Sequence, residues 1–192
     1  MCTNAQLRNK DKWEIVGDPT EGAIVVAAEK FGLAGLEKES PRFWEIPFTS
    51  ERKMMSTINK YGSGYVMCTK GAPEIVADAC SKMQNGGTLI DMSPTIKKSV
   101  LESSNEMASR ALRVLAIAYR DAGAKDTKEE NLIFLGLVGM IDPPRKEVKD
   151  DIKICMDAGI AVVMITGDNK NTAMAIAKEL GMPEKKVLTG EE

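Results

Sequence analysis

The sequence predicts a mixed α/β fold with two regimes of composition. Up to about Asp126, helical segments alternate with strands of alternating polarity, whereas from Leu132 onward the order is strand–helix–strand–helix, which is typical of a parallel sheet. An apolar run, 161–165, ends in Thr166-Gly167-Asp168-Asn169 and precedes a helix-like segment. Such a turn places a hydroxyl and free backbone N–H groups where an anion can bind.

The first helix is predicted from its capping signals. Asp18 is a favoured N-cap, Pro19 fits the first helical position, and Glu21 stands where a capping box would place it. We expect the helix to run through Ile24–Lys30 and to stop at Gly32.

The remaining elements follow from periodicity and from turn residues. Tyr61-Gly62-Ser63-Gly64 predicts a turn that joins two strands into a hairpin. The predicted strands are Phe43–Phe48, Met54–Asn59, Tyr65–Thr69, Leu112–Tyr119, Leu132–Ile141 and Ala161–Ile165. The predicted helices are Pro73–Cys80, Ser93–Ala108, Glu147–Ala158 and Asn169–Leu180, with loops at 85–87 and 121–131.

Composition excludes several classes of function. The 192 residues carry a net charge of −2, which gives no reason to expect nucleic acid as a partner. No histidine is present, which removes Ser-His-Asp systems and most zinc sites. The four cysteines stand singly, as reduced cytosolic thiols do. No apolar run approaches the roughly 18–20 residues that span a bilayer, and the N-terminus is not a signal peptide, so we expect a soluble chain.

Four stretches besides the Thr166 turn carry groups that suit a ligand. Glu21 either serves the helix cap or accepts from a ligand amine. Phe48, followed by the basic pair Arg52-Lys53, either stacks on a flat ring near an anion or is a core aromatic beside solvated charges. Lys70-Gly71 allows a close approach to a ligand, although an ordinary turn is an alternative. Arg113 lies in an apolar strand and needs a partner there.

The order of these stretches resembles the cytoplasmic headpiece of a type II P-type cation-transporting ATPase, most closely the calcium-pump branch. The motifs that carry the resemblance are Gly-Asp-Pro-Thr-Glu, Phe-x-Ser-x-Arg-Lys-x-Met, Lys-Gly-Ala-Pro-Glu, Arg-Val-Leu-Ala, Asp-Pro-Pro-Arg and Thr-Gly-Asp-Asn. The resemblance implies a nucleotide-binding domain at 1–139, an antiparallel sheet flanked by helices. It also implies that 140–192 is part of a Rossmann-like, haloacid-dehalogenase-type phosphorylation domain, beginning with the hinge 142–145.

The resemblance implies a site for ATP with Mg²⁺. The residues expected at the nucleotide are Glu21, Phe48, Lys53, Lys70, Gly71, Arg113 and Leu115. Phe48 would stack on adenine and Glu21 would face its exocyclic amine, while Lys53 and Lys70 would line the purine and ribose side. Arg113 would reach the phosphates, with Leu115 packing nearby.

The resemblance also assigns roles in the second region. Asp142, Pro143 and Arg145 would form the hinge between the domains. Thr166 and Gly167 would contact the transferred phosphoryl group, and Asp168 would help close the site around nucleotide and magnesium. No residue of the chain is expected to be a metal ligand.

Two departures bear on activity. Ser50 stands two residues after Phe48, where the family's calcium pumps carry arginine. Neither the Asp-Lys-Thr-Gly-Thr nucleophile motif nor the later Gly-Asp-Gly-x-Asn-Asp segment occurs. The resemblance therefore implies a fragment that binds ATP weakly, is inactive alone, and works with the remainder of the same pump at the cytoplasmic face of a membrane.

The sequence is also compatible with two other functions. A free-standing haloacid-dehalogenase-type phosphatase would need an Asp-x-Asp nucleophile at a strand end, and Asp150-Asp151 lies within a helix pattern instead. A non-catalytic interaction module could use the helix at Ser93–Ala108. The absence of histidine disfavours the heavy-metal branch of the pumps, whose nucleotide domain carries a His-Pro motif.

Overall fold

The computed structural model describes residues 1–9, 12–33, 35–141, 144–167, 170–183 and 187–188, and within them it contains nine strands and six helices. The strands are β1 (Gln6–Asn9), β2 (Trp13–Val16), β3 (Arg42–Ile46), β4 (Met54–Tyr61), β5 (Gly64–Gly71), β6 (Cys80–Asn85), β7 (Thr88–Asp91), β8 (Arg113–Ala122) and β9 (Leu132–Met140). The helices are α1 (Pro19–Lys30), α2 (Leu36–Glu39), α3 (Pro73–Ala79), α4 (Pro94–Ser109), α5 (Val148–Asp157) and α6 (Lys170–Glu179).

Seven of the strands form one sheet in the order β3-β4-β5-β8-β9-β6-β7. The pairs β3–β4, β4–β5, β5–β8 and β6–β7 are antiparallel, and β6 runs parallel to β9. Strands β1 and β2 form a separate antiparallel pair. The expected fold class, a mixed α/β fold with a mostly antiparallel sheet and flanking helices, is confirmed.

The predicted hairpin is the best-packed part of this sheet. Strands β4 and β5 pair without interruption from Met54 opposite Gly71 to Tyr61 opposite Gly64. Both of its faces are covered, so polar side chains are buried alongside Met55, Ile58 and Met67. These buried polar residues are Ser56, Thr57, Asn59 and Thr69. Their polar groups hydrogen-bond to one another. For example, the Asn59 amide donates to the Thr57 hydroxyl at 2.9 Å.

The core continues from the hairpin into the neighbouring elements. Its fully buried members outside β4 and β5 include Val76, Ala77, Ala116, Ala118, Leu132 and Phe134. They come from α3, β8 and β9, and α3 itself contacts β5 and β6, the strands on either side of it in the chain. The short predicted helix and the predicted central strand are both formed.

Helix α1 begins and ends where its capping signals predict. The Asp18 carboxylate accepts from the N–H groups of Thr20 and Glu21 at 2.9 and 3.1 Å. At the other end, Gly32 adopts a φ of +72°, which lets the Leu33 N–H reach back to the Ala28 carbonyl at 2.9 Å. The Glu21 carboxylate, expected to complete a capping box, instead accepts hydrogen bonds from residues outside the helix.

The chain divides into two compact units. The first comprises Met1–Lys98 and Leu115–Val138, and the second comprises Ser99–Val114 and Gly139–Glu192. Within the second unit, the Thr172 hydroxyl on α6 donates to the Leu112 carbonyl at 3.1 Å. The expected boundary between 1–139 and 140–192 stays a prediction.

Several elements were not predicted from the sequence. They are β1, β2, β6, β7 and α2. All are only four to six residues long, and β2 is exposed throughout. Strand β6 is polar, and it forms because it pairs with β9, which lies far along the chain. No local sequence pattern indicates this pairing.

The predicted strand Ala161–Ile165 is wrong. Residues 161–166 form neither strand nor helix, and the side chains of Val163 and Ile165 are 77% and 93% exposed. A strand needs a neighbour to complete its ladder of hydrogen bonds, and no described strand pairs with this segment. The predicted helices on either side are present as α5 and α6.

The longest helix among the described residues is α4, with 16 residues. None of the described helices has both the length and the apolar character that crossing a lipid bilayer requires.

Candidate functional site

A buried ion pair joins the end of β5 to the first turn of α1. The Lys70 ammonium lies 2.6 Å from Glu21 Oε1, and the two side chains are 8% and 15% exposed. The second carboxylate oxygen of Glu21 accepts from the backbone N–H groups of Asn4 and Ala5 at 2.7 and 3.1 Å. Glu21 therefore links three distant parts of the chain, and two residues expected at one site do meet.

Glu21 is held in its ionised form. Burial acts to raise its pKa, but the Lys70 ammonium and the N–H groups of Asn4 and Ala5 outweigh burial, so the pKa lies below its usual value. A carboxylate that stays charged can balance Lys70 at neutral pH. The pair places fixed opposite charges at one end of the hairpin.

Phe48 lies on a tight loop, residues 47–53, between β3 and β4. Predicted at a strand end, it follows β3, which stops at Ile46. The Lys53 N–H donates to the Thr49 carbonyl at 2.8 Å, and Lys53 itself adopts a left-handed φ of +53°. The Phe48 ring is 58% exposed, so it is not a core aromatic and is free to stack on another ring.

Gly71 brings this loop against the end of β5. A Cβ at Gly71 would lie 2.5 Å from the Lys53 carbonyl oxygen and 2.5 Å from Met54 Cβ, closer than real contacts allow. The Ala72 N–H donates to the same Lys53 carbonyl at 2.9 Å. Only glycine permits this approach, which brings Lys53 beside the strand that carries Lys70.

Leu115 and Arg113 lie at the start of β8, in different units. Leu115 is half-buried and precedes Ala116, the register partner of Gly71. Arg113 belongs to the second unit and is exposed, so its guanidinium does not bear the desolvation cost expected in an apolar strand.

The residues predicted for phosphoryl contact and for the hinge are only partly described. Thr166 and Gly167 are exposed and lie in the second unit, whereas Asp168 and Asn169 fall outside the described residues. Asp142 and Pro143 also fall outside them. Arg145 is exposed, and its carbonyl accepts from the Val148 N–H at the start of α5 at 3.1 Å.

Two contributions near the site were missed by reasoning from the sequence. One is the pair of backbone N–H groups of Asn4 and Ala5, for which no side-chain signal exists. The other is an ion pair between Arg52 and Glu129, which belongs to the predicted 121–131 loop. Arg52 stands in the Phe48 motif, but its partner lies too far along the chain for a local pattern to reveal it.

Metal-binding side chains are not clustered among the residues that the structure describes. Among the side chains described, no group of three or more histidine, cysteine, aspartate or glutamate residues could hold a metal ion.

The family model for the P-type ATPase cytoplasmic domain N matches residues 1–147. Three similar curated proteins are a Calcium-transporting ATPase 1 of Bacillus cereus, a Calcium-transporting ATPase 1 of Lactococcus lactis and a Calcium-transporting ATPase of Bacillus subtilis. They are 46%, 39% and 40% identical over 190, 201 and 202 residues, which cover 96%, 100% and 99% of this chain. The matches cover 21%, 23% and 23% of those proteins, so the chain spans about a fifth of their length.

Proposed function

Because this chain belongs to the family of P-type ATPase cytoplasmic N domains, we propose that it binds ATP, as the Mg²⁺ complex, around Phe48 and Lys70. The observation that carries the proposal is that the loop bearing Phe48 and Lys53 abuts the Lys70-Gly71 end of β5. The loop supplies an exposed aromatic ring and one lysine, and the strand end that it contacts supplies a second lysine; these groups suit a flat base attached to an anionic tail.

The roles of the pocket residues follow from their chemistry. Phe48 stacks on adenine, and Lys53 and Lys70 line the purine and ribose side of the nucleotide. Glu21 accepts from the exocyclic amine of adenine. A carboxylate offers about four acceptor positions. Glu21 Oε2 accepts from Asn4 and Ala5, with the Thr3 hydroxyl at a long 3.5 Å. Among the described residues Oε1 accepts from Lys70 alone, so its second acceptor position suits the amine.

The phosphate end of the nucleotide is assigned to a further set of residues. Arg113 offers a forked donor to phosphate oxygens, and Leu115 packs beside the nucleotide. Thr166, Gly167 and Asp168 contact the transferred phosphoryl group, and the segment 142–145 with its paired prolines is the hinge between domains 1–139 and 140–192.

The whole protein is proposed to be an ATP-driven cation pump, with calcium the favoured ion because the relatives above carry that name. It would transfer the γ-phosphoryl group of ATP to an aspartate, and catalysis there consists of positioning and charge stabilisation. The 192 residues hold no Asp-Lys-Thr-Gly-Thr nucleophile. The chain as it stands is thus proposed to bind nucleotide without hydrolysing it.

Titration of MgATP into the ¹⁵N-labelled chain tests the proposal. Amide shifts are expected at residues 48–54 and 69–72, with weak affinity because part of the phosphate contacts is supplied elsewhere. A Kd near 1 mM would correspond to about −4 kcal/mol. Phe48→Ala and Lys53→Ala should each abolish the shifts, and both residues are exposed, so neither change breaks the buried Glu21–Lys70 pair.

Matched controls exist in the chain. Phe31 is 82% exposed at the end of α1, and Lys60 is exposed on β4, so Phe31→Ala and Lys60→Ala remove similar groups elsewhere. Absence of any shift at several millimolar MgATP, or equal losses in the control variants, would refute binding at this pocket.

A further inference from the structure

Glu129 pairs with Arg52, the side chain that spans the base of the Phe48 loop, residues 47–53. Its Oε2 pairs with Arg52 Nη2, and its Oε1 accepts from the Ser56 hydroxyl at 2.6 Å. Only 9% of the Glu129 side chain is exposed, so water competes weakly for these bonds. Both carboxylate oxygens thus have fixed partners.

Arg52 crosses the base of the loop. Its Nη1 donates to the carbonyl of Pro47, the residue before Phe48, at 2.6 Å. Its backbone N–H donates to the Thr49 hydroxyl at 3.2 Å. Arg52 is 30% exposed, so without its carboxylate partner the guanidinium could turn toward water and release Pro47.

The far side of the Glu129 contact is anchored in the sheet. Ser56 on β4 and Thr69 on β5 are register partners, and their hydroxyls lie 2.7 Å apart. Both residues are fully buried. A hydrogen-bonded chain therefore runs from the hairpin core through Glu129 and Arg52 to the loop that carries Phe48.

The segment 123–131 that presents Glu129 is itself fixed. Arg120, at the end of β8, pairs with Asp126 at 2.8 Å and donates to the Lys128 carbonyl at 2.5 Å. Two contacts from one guanidinium hold a polar segment against its own strand. These contacts hold Glu129 within reach of Arg52.

From this geometry we propose that Glu129 is a positioning residue for nucleotide binding. Acting through Arg52, it holds the Phe48 loop in the shape that presents the ring to adenine. The inference rests on the proposed function above. When a binding site is formed for only part of the time, the apparent Kd rises in inverse proportion to that fraction. A loop competent for about one-tenth of the time would bind about tenfold more weakly.

The variant Glu129→Gln keeps the size of the side chain and an acceptor oxygen for Ser56, but it removes the charge that pairs with Arg52. The matched control is Glu130→Gln, because Glu130 is 63% exposed and lies 3.9 Å from Lys128. We expect Glu129→Gln to raise the Kd for MgATP about tenfold. In the nucleotide-free protein, hydrogen exchange at the Arg52 and Lys53 amides should accelerate, while Glu130→Gln leaves both quantities unchanged.

Two comparisons separate positioning from general loss of stability. Exchange at the amides of β4 and β5 should stay near that of the unaltered chain, since the hairpin is intact. The double variant Glu129→Gln/Arg52→Gln should bind no more weakly than the worse single variant, because both act on one contact. Additive losses, or faster exchange throughout the hairpin, would overturn the positioning role.

The outcome also separates this inference from the proposal on which it depends. If the unaltered chain shows no response to MgATP, the proposed function fails, and the positioning role fails with it. If the unaltered chain binds and Glu129→Gln binds equally well, the proposed function stands and only the positioning role is refuted.

Discussion

Replacing Glu21 by glutamine isolates the contribution of the Glu21–Lys70 ion pair to stability. The Lys70 side chain is 8% exposed and lies 2.6 Å from Glu21, so removing the negative charge leaves a buried ammonium without its counter-ion. Breaking a buried pair from one side typically costs about 3–5 kcal/mol. Glutamine keeps one oxygen for the Asn4 and Ala5 N–H groups, so we expect a loss of free energy of unfolding near the lower limit, about 3 kcal/mol.

Urea unfolding at pH 7, followed by circular dichroism, measures this loss. The midpoint should fall while the dependence on urea concentration stays constant, because the folded shape is retained. The control Glu29→Gln alters an exposed carboxylate on the same helix and should change stability by less than about 0.5 kcal/mol. The double variant Glu21→Gln/Lys70→Met should recover part of the loss, since it leaves no unpaired charge.

The pH dependence gives an independent check. The folded-state pKa of Glu21 lies below its usual value. Its stabilising contribution is therefore complete above the unfolded pKa, about 4.3, and is lost as the pH falls through the lower, folded value. The difference between the unaltered chain and Glu21→Gln should be constant from pH 7 to pH 5 and then shrink. A loss below about 1 kcal/mol at pH 7, or a difference that grows in acid, would refute the reasoning.

Three further outcomes are expected. Gly71→Ala places a Cβ 2.5 Å from the Lys53 carbonyl oxygen, so it should destabilise the fold by about 1–3 kcal/mol in thermal unfolding. The control Gly64→Ala, on the same strand, meets nothing within 4 Å and should leave the stability unchanged. Ala111 adopts a φ of +60° after α4, so Ala111→Gly should stabilise by about 1 kcal/mol in urea unfolding, and a loss would contradict this. Burial raises the pKa of Cys80 to about 12 and that of Cys68 to about 11. Alkylation of both thiols at pH 8 should therefore be more than about a hundredfold slower in the folded than in the unfolded chain. Equal rates, measured by mass spectrometry, would disprove this expectation.

Local sequence patterns predicted the elements that are stabilised by residues close to one another in the chain. The β4–β5 hairpin has its turn glycines beside its strands, and α1 carries its own N-cap and stop. By contrast, β6 depends on pairing with β9, and its polar sequence gives no sign of this. The segment 161–165 shows the opposite failure, because its apolar character predicts a strand but no described neighbour completes one.

The candidate site divides in the same way. Phe48, Lys70 and Glu21 were named from residue type and motif, and the contact between Glu21 and Lys70 is present. What the sequence could not supply was the set of long-range partners. The N–H groups of Asn4 and Ala5, and the carboxylate of Glu129, enter only once the chain is folded.

The order of strands has a consequence for synthesis on the ribosome. Strands β8 and β9 lie between β5 and β6 in the sheet, although they follow both in the chain. The hairpins β4–β5 and β6–β7 can therefore form while residues 113–140 are still being added, each with an unpaired inner edge. Such edges are templates for pairing with another nascent chain. Slow translation through β8 and β9 would thus prolong the interval in which these strand edges are exposed to other nascent chains.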